Sequence, residues 1–162
     1  MYKKNDYIIY KRETCKISDI LEKYINGQDY YLLTPIKDES LTIKIPTNNK
    51  DLRSLISKKE LESIIKKIPL IETIAADSKN LESAYKGLLQ NPTHENLIKI
   101  IKTTYLRNKE RIDNNKKITD KDNYYFNLAE NELYNEFSIV LGKTYEETKE
   151  YVISKVNELN SK

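Results

Sequence analysis

The sequence predicts an α+β protein: a small, β-barrel-like N-terminal module of about 50 residues, then a bundle of about five helices. Three observations carry this. Before Pro46 the chain has strand character, and Leu41-Thr42-Ile43-Lys44-Ile45 alternates apolar with polar residues. After Pro46 the apolar spacing becomes i, i+3, i+4, i+7. Turn and capping residues punctuate both regimes at the expected joins.

The elements follow in order. Residues 6–10, DYIIY, read as a first strand. Residues 15–25, CKISDILEKYI, fit both periods in part. Their neighbours are strands, and Asn26-Gly27 is a strong hairpin signal, so a bent strand is expected there. YYLLTPI follows, then the polar turn KDES and the strand LTIKI. These four or five antiparallel strands are expected to bury Ile8, Tyr10, Ile17, Leu32, Ile43 and Ile45, with the register left open.

Ser57 and Glu60 form a capping box for a first helix, with Leu61, Ile64, Ile65 and Ile68 inward and Pro69 as its stop. A second helix is expected over residues 77–89, with Leu81, Ala84, Tyr85 and Leu88 on one face. Thr93 caps a third through residue 111, with Leu97, Ile100, Ile101 and Tyr105 inward. Thr119 caps a fourth over 120–141, where Gly142 suits a left-handed C-terminal residue. Thr144 with Glu147 opens the last. The expected division is 1–56 and 57–162.

Composition narrows the function. The 162 residues are 33% charged and 38% hydrophobic, and 13 tyrosines with no tryptophan make Tyr the main amphipathic aromatic. Three glycines and no GxGxxG or GxxxxGK[ST] leave no phosphate-cradling loop. A single cysteine, Cys15, excludes an intrachain disulfide and a cysteine-based zinc site. No signal-peptide core and no membrane-length apolar run is present, so a cytoplasmic setting and no membrane partner are expected.

Net charge is +3, unevenly spread. Residues 58–121 hold 14 Lys/Arg against 9 Asp/Glu, and residues 122–162 hold 4 against 8. The basic middle can meet phosphate or form a solvated helix face.

Little points to catalysis, and no enzyme activity, cofactor, metal or small-molecule substrate is expected. His94, the only histidine, falls in a helix's first turn, where exposure is expected. Glu132 and Glu136 share a helix face, but without the Glu-x-x-His pattern of bundle metal sites they read as a solvated acidic face. Cys15 reads as a small buried residue. Binding is the better reading: a small sheet has an edge that can pair with another protein. In SKNLESAYKG (78–87), Lys79 and Lys86 flank Leu81, as cations flank minor-groove wedges. Leu81 also sits at a core-type position of its helix, and from the residues alone the core reading is the stronger.

The pattern resembles the CarD/CdnL family of bacterial transcription regulators over nearly the whole chain. KNDYIIY is similar to the family's opening strand through Asp6 and Tyr10. YYLLTPIKDESLTIKIP is similar to its hairpin through Tyr31, Leu32, Leu41, Thr42 and Pro46. AYKGLL, YLRNKERI and ENELYNEFSIVLGKTYEETKEYV are similar to its helices.

The resemblance implies a Tudor-like (SH3-like) barrel, as in transcription-repair coupling factor, that docks on the RNA polymerase β subunit by extending a sheet. It implies a helical domain that contacts promoter DNA near the melting region, without sequence specificity, and modulates the open complex. Carried over, Lys44 matches a basic position of the polymerase interface, Tyr24 stands in place of an arginine there, and Tyr31 and Thr42 belong to the same hairpin. Lys86 matches a DNA-contacting position, Leu81 stands in place of the wedge tryptophan, and Ser83 in place of a basic residue after it. Lys79, Lys116, Lys117 and Lys121 supply further cations. The alternative is a protein–protein adaptor whose helical domain binds protein and not DNA.

Overall fold

Strand pattern gives way to helix pattern along the chain, and the computed structural model, which describes residues 1–161, follows that change. Five strands come first: β1 (Tyr7–Tyr10), β2 (Glu13–Ile25), β3 (Gln28–Pro35), β4 (Ile43–Pro46) and β5 (Leu52–Arg53). They form one antiparallel sheet in the order β4-β3-β2-β1-β5. β4 and β5 are its two edges and do not pair with one another, so the sheet is open where a barrel was expected. β5 is only two residues long and β4 only four, too little strand to close the ladder.

β2 is one strand of 13 residues, as its hairpin context predicted. Register shifts between Ile17 and Asp19 and between Leu21 and Ile25 let it bend. Asn26 and Gly27 both have positive φ, 53° and 75°, the requirement of a tight hairpin turn. Ile8, Cys15, Ile17, Tyr31, Leu33 and Ile45 form the sheet's core. Leu32 was expected there, but the register pairs it with Lys44 and Asp19 on the opposite face, and Tyr31 and Leu33 take the core positions. A one-residue difference in register exchanges the faces. Tyr10 and Ile43 pack at the margin of this core.

Five helices follow: α1 (Lys58–Lys67), α2 (Leu81–Gln90), α3 (His94–Asp113), α4 (Asp120–Leu141) and α5 (Tyr145–Asn160). Ser57, Thr93, Thr119 and Thr144 each accept a hydrogen bond from the third helical residue, and Thr144 with Glu147 completes a capping box. Pro69 lies in a short 3-10 turn that ends α1. Gly142 is left-handed, φ 64°.

α2 begins four residues later than expected. The Asn80 N–H donates to the Asp77 carbonyl, and Asp77 Oδ1 accepts from the backbone and side-chain nitrogens of Asn80, so the segment closes as a separate turn before the helix begins. On α3, Tyr105 is 56% exposed, contrary to expectation. The buried stripe runs through Leu97, Ile100, Thr103 and Thr104 instead. Both threonine hydroxyls bond back to α3 carbonyls at 2.7 Å, which lets them pack as apolar residues.

The helical core is a second cluster, centred on Leu61, Ile65, Tyr85, Ile100, Leu133 and Phe137. β2 touches α4, and this contact joins sheet to bundle. No helix is long and apolar enough to cross a membrane among the described residues.

Candidate functional site

The free edge of β4 is the first candidate. β4 pairs with β3 on one side only, leaving one row of backbone groups available to a partner strand. Lys44 projects from the face opposite the sheet core. Its Nζ donates to Tyr24 Oη at 3.1 Å and sits 5.2 Å from the Tyr24 ring centroid. Tyr24 meets Tyr30 edge to face at 5.4 Å. Thr42, just before β4, is exposed. Tyr31 is 2% exposed, on the core face, with Tyr2 against its ring. Of the four residues assigned to this surface, the structure brings Lys44 and Tyr24 together, leaves Thr42 open and buries Tyr31.

The second candidate is the cationic side of the bundle. Lys79, Ser83, Lys86, Lys116, Lys117 and Lys121 are exposed. Lys86 and Lys121 share one counter-charge, Glu82, at 3.3 and 3.5 Å. Ser78, Arg107, Arg111 and Lys116 line a hollow of about 200 Å³, which brings the segment before α2 next to the α3–α4 loop. Arg111 Nε donates to the Lys117 carbonyl at 2.6 Å and shapes that loop. Leu81 is 1% exposed and belongs to the bundle core, among the residues around Tyr85. Below it the Tyr85 hydroxyl donates to Asp122 Oδ1 at 3.0 Å, and Arg107 Nε reaches Asp122 Oδ2 at 3.0 Å. Burial and the Asp122 carboxylate both hold the Tyr85 phenol well above its ordinary range.

The third feature lies between the modules and was not foreseen. Glu136, 2% exposed, accepts from both Nη atoms of Arg53 at 2.8 and 2.9 Å and from the Ile56 N–H at 2.8 Å. His94 Nε2 lies 2.8 Å from the same carboxylate. Burial alone would raise this carboxyl, but the Arg53 and His94 hydrogen bonds outweigh it and hold the group at about 2. One turn earlier, Glu132 Oε1 is 3.5 Å from Arg12 Nε, and its Oε2 has no hydrogen-bond partner. Burial pushes Glu132 up to about 7 against the opposing charge of Arg12. These carboxylates are therefore an internal joint, and the expected solvated acidic face is overturned. His94 is likewise not exposed: its side chain is 18% accessible and its ring stacks on Phe137 at 5.9 Å. The sequence signal was faint, two glutamates one turn apart within an apolar stripe.

Cys15 is fully buried, and burial followed by the Glu13 charge pushes its thiol up to about 12, which suppresses the thiolate. No group of three or more His, Cys, Asp or Glu side chains among the described residues is placed to hold a metal ion. No protein-family model matches this chain, and no curated protein matches it.

Proposed function

We propose that this chain is a two-module transcription regulator of the CarD/CdnL kind, non-enzymatic and cytoplasmic, with residues 1–56 and 57–162 as its modules. In this reading the first module is Tudor-like and binds the RNA polymerase β subunit by adding a strand to the β4 edge. The observation that carries it is the pairing of Lys44 with Tyr24 beside that unpartnered edge. A solvent-exposed cation over an aromatic, next to free backbone donors and acceptors, suits a partner strand flanked by acidic residues.

The helical module contacts promoter DNA through Lys79, Lys116 and Lys117, whose exposure supports a phosphate-backbone role. Lys86 and Lys121 contribute less, since Glu82 offsets them. Tethering by polymerase raises the local concentration of this weak DNA-binding surface. Binding is independent of base sequence, because phosphate contacts carry no sequence information.

A second reading, a protein–protein adaptor, is favoured by the burial of Leu81, which removes the wedge from the DNA surface. The experiment is capture of purified RNA polymerase by the full chain beside Lys44→Glu, followed by open-complex lifetime with each protein. Capture lost on charge reversal, together with a lifetime changed only by the parent protein, supports the regulator. Absence of capture by a folded parent chain removes polymerase as the partner.

A further inference from the structure

A groove runs between the sheet and the bundle. Its first half, about 510 Å³, is lined by Lys11, Arg12, Lys50 and Arg53 from the sheet side and by Gln90 and Asn91 from the helical side. Its second half, about 530 Å³, is lined by Arg12, Lys86, Gln90 and Tyr124. Arg12, Leu89 and Gln90 belong to both, so the two hollows are continuous.

Its charge is arranged by depth. Arg12 and Arg53 are anchored from beneath by Glu132 and Glu136, whose side chains are 9% and 2% exposed. The two arginine side chains remain 39% and 42% exposed. Solvent thus reaches part of each cationic side chain, with the carboxylates below. Lys11 and Lys50 pair with no carboxylate among the described residues. Two acids oppose the cations at the surface: Asp51 in the first half and Glu82 beside Lys86. Tyr124, 60% exposed and braced edge-on by Tyr125 at 5.0 Å, offers an aromatic face in the second half.

We propose that this groove binds a single strand of nucleic acid, its phosphates on Lys11, Lys50 and the anchored arginines and a base on Tyr124. A trough with cations along its sheet wall and one open aromatic at its far end fits a single strand, where backbone attraction and base stacking act together. The residues differ from the Lys79 and Lys116–Lys117 surface, so the proposal stands whether or not polymerase is the partner.

Two to three uncompensated cations make the binding modest and salt-sensitive. At about 0.7 in slope per phosphate for single strands, affinity falls about tenfold between 50 and 200 mM salt.

The test is fluorescence anisotropy of labelled oligothymidylate, twelve residues long, with the full chain at 50 mM salt. Saturable binding is expected, weakened about tenfold or more by Lys11→Glu with Lys50→Glu and about fivefold by Tyr124→Ala. Lys66→Glu with Lys67→Glu, which makes the same change of net charge on exposed α1 positions, is expected to stay within about twofold. Thermal melts of each variant separate lost binding from lost folding. No binding by the parent chain, equal loss from the α1 variant, or tighter binding of a duplex of the same length overturns the proposal.

Discussion

Arg53, in the two-residue edge strand β5, spans the boundary between sheet and bundle to meet Glu136 on α4 through both Nη atoms. The carboxylate also holds the Ile56 N–H, so one buried side chain ties down the crossing chain and the last strand together. Arg53 is 42% exposed and can be rehydrated, so losing the carboxylate costs mainly its charge-assisted hydrogen bonds, about 1.5–3 kcal/mol. Glu136→Gln is expected to lower the melting temperature by roughly 3–12 °C for a chain of this size. Calorimetry with limited proteolysis checks it, and new cleavage near residues 53–57 should accompany the loss.

Glu136 and Glu132 give opposite pH dependences. Glu136 is depressed from 4.5 to about 2, so its stabilisation is complete above its unfolded value and disappears as pH falls toward 2. That shift corresponds to about 3 kcal/mol. Glu132 is raised from 4.5 to about 7, so the folded state retains a proton that the unfolded chain has released between those values. Stability from this group is present below 4.5 and declines as pH rises to about 7. Urea unfolding across pH 3–8 should show Glu132→Gln with a shallower decline between pH 5 and 7 than the parent. An unchanged slope there would show that Glu132 does not titrate in that window.

Leu81 separates packing from DNA contact. As a core residue 1% exposed, Leu81→Ala should destabilise the chain by about 2–5 kcal/mol, and Leu81→Met by less than about 1.5. A wedge exposed to DNA would instead leave the unfolding midpoint nearly unchanged. Chemical denaturation without DNA distinguishes them.

Two glycines respond with opposite signs. Nothing lies within 4 Å of a Cβ added at Gly87 or Gly142, so packing does not decide either case. Gly87 is inside α2, and Gly87→Ala should stabilise by about 0.5–1 kcal/mol. Gly142 has φ 64°, and Gly142→Ala should cost about 1–2 kcal/mol through backbone strain. Paired melting curves read both.

Legibility in the sequence followed the range of the interaction. Helix starts at Ser57, Thr93, Thr119 and Thr144 were readable because a cap joins residues three apart. The β2–β3 hairpin was readable because Asn26-Gly27 satisfies a local φ requirement. The start of α2 was missed by four residues because Asp77 and Asn80 close a turn of their own, a competition between two local options.

The site was less legible. The sequence singles out Lys44 and Tyr24, but their contact depends on a 20-residue separation closed by the β3 register. Tyr31 was placed on the same surface, and the alternation of the strand turned it to the other face. Alone, the sequence was enough for the α+β order, the caps and the period change after Pro46, since each depends on neighbours a few residues apart. The tertiary structure decided that the sheet stays open, that Leu81 is core, and that Glu136 serves Arg53 and His94 across separations of 83 and 42 residues. Such distances leave no periodic trace in the sequence, because burial and pairing are set only when distant elements pack.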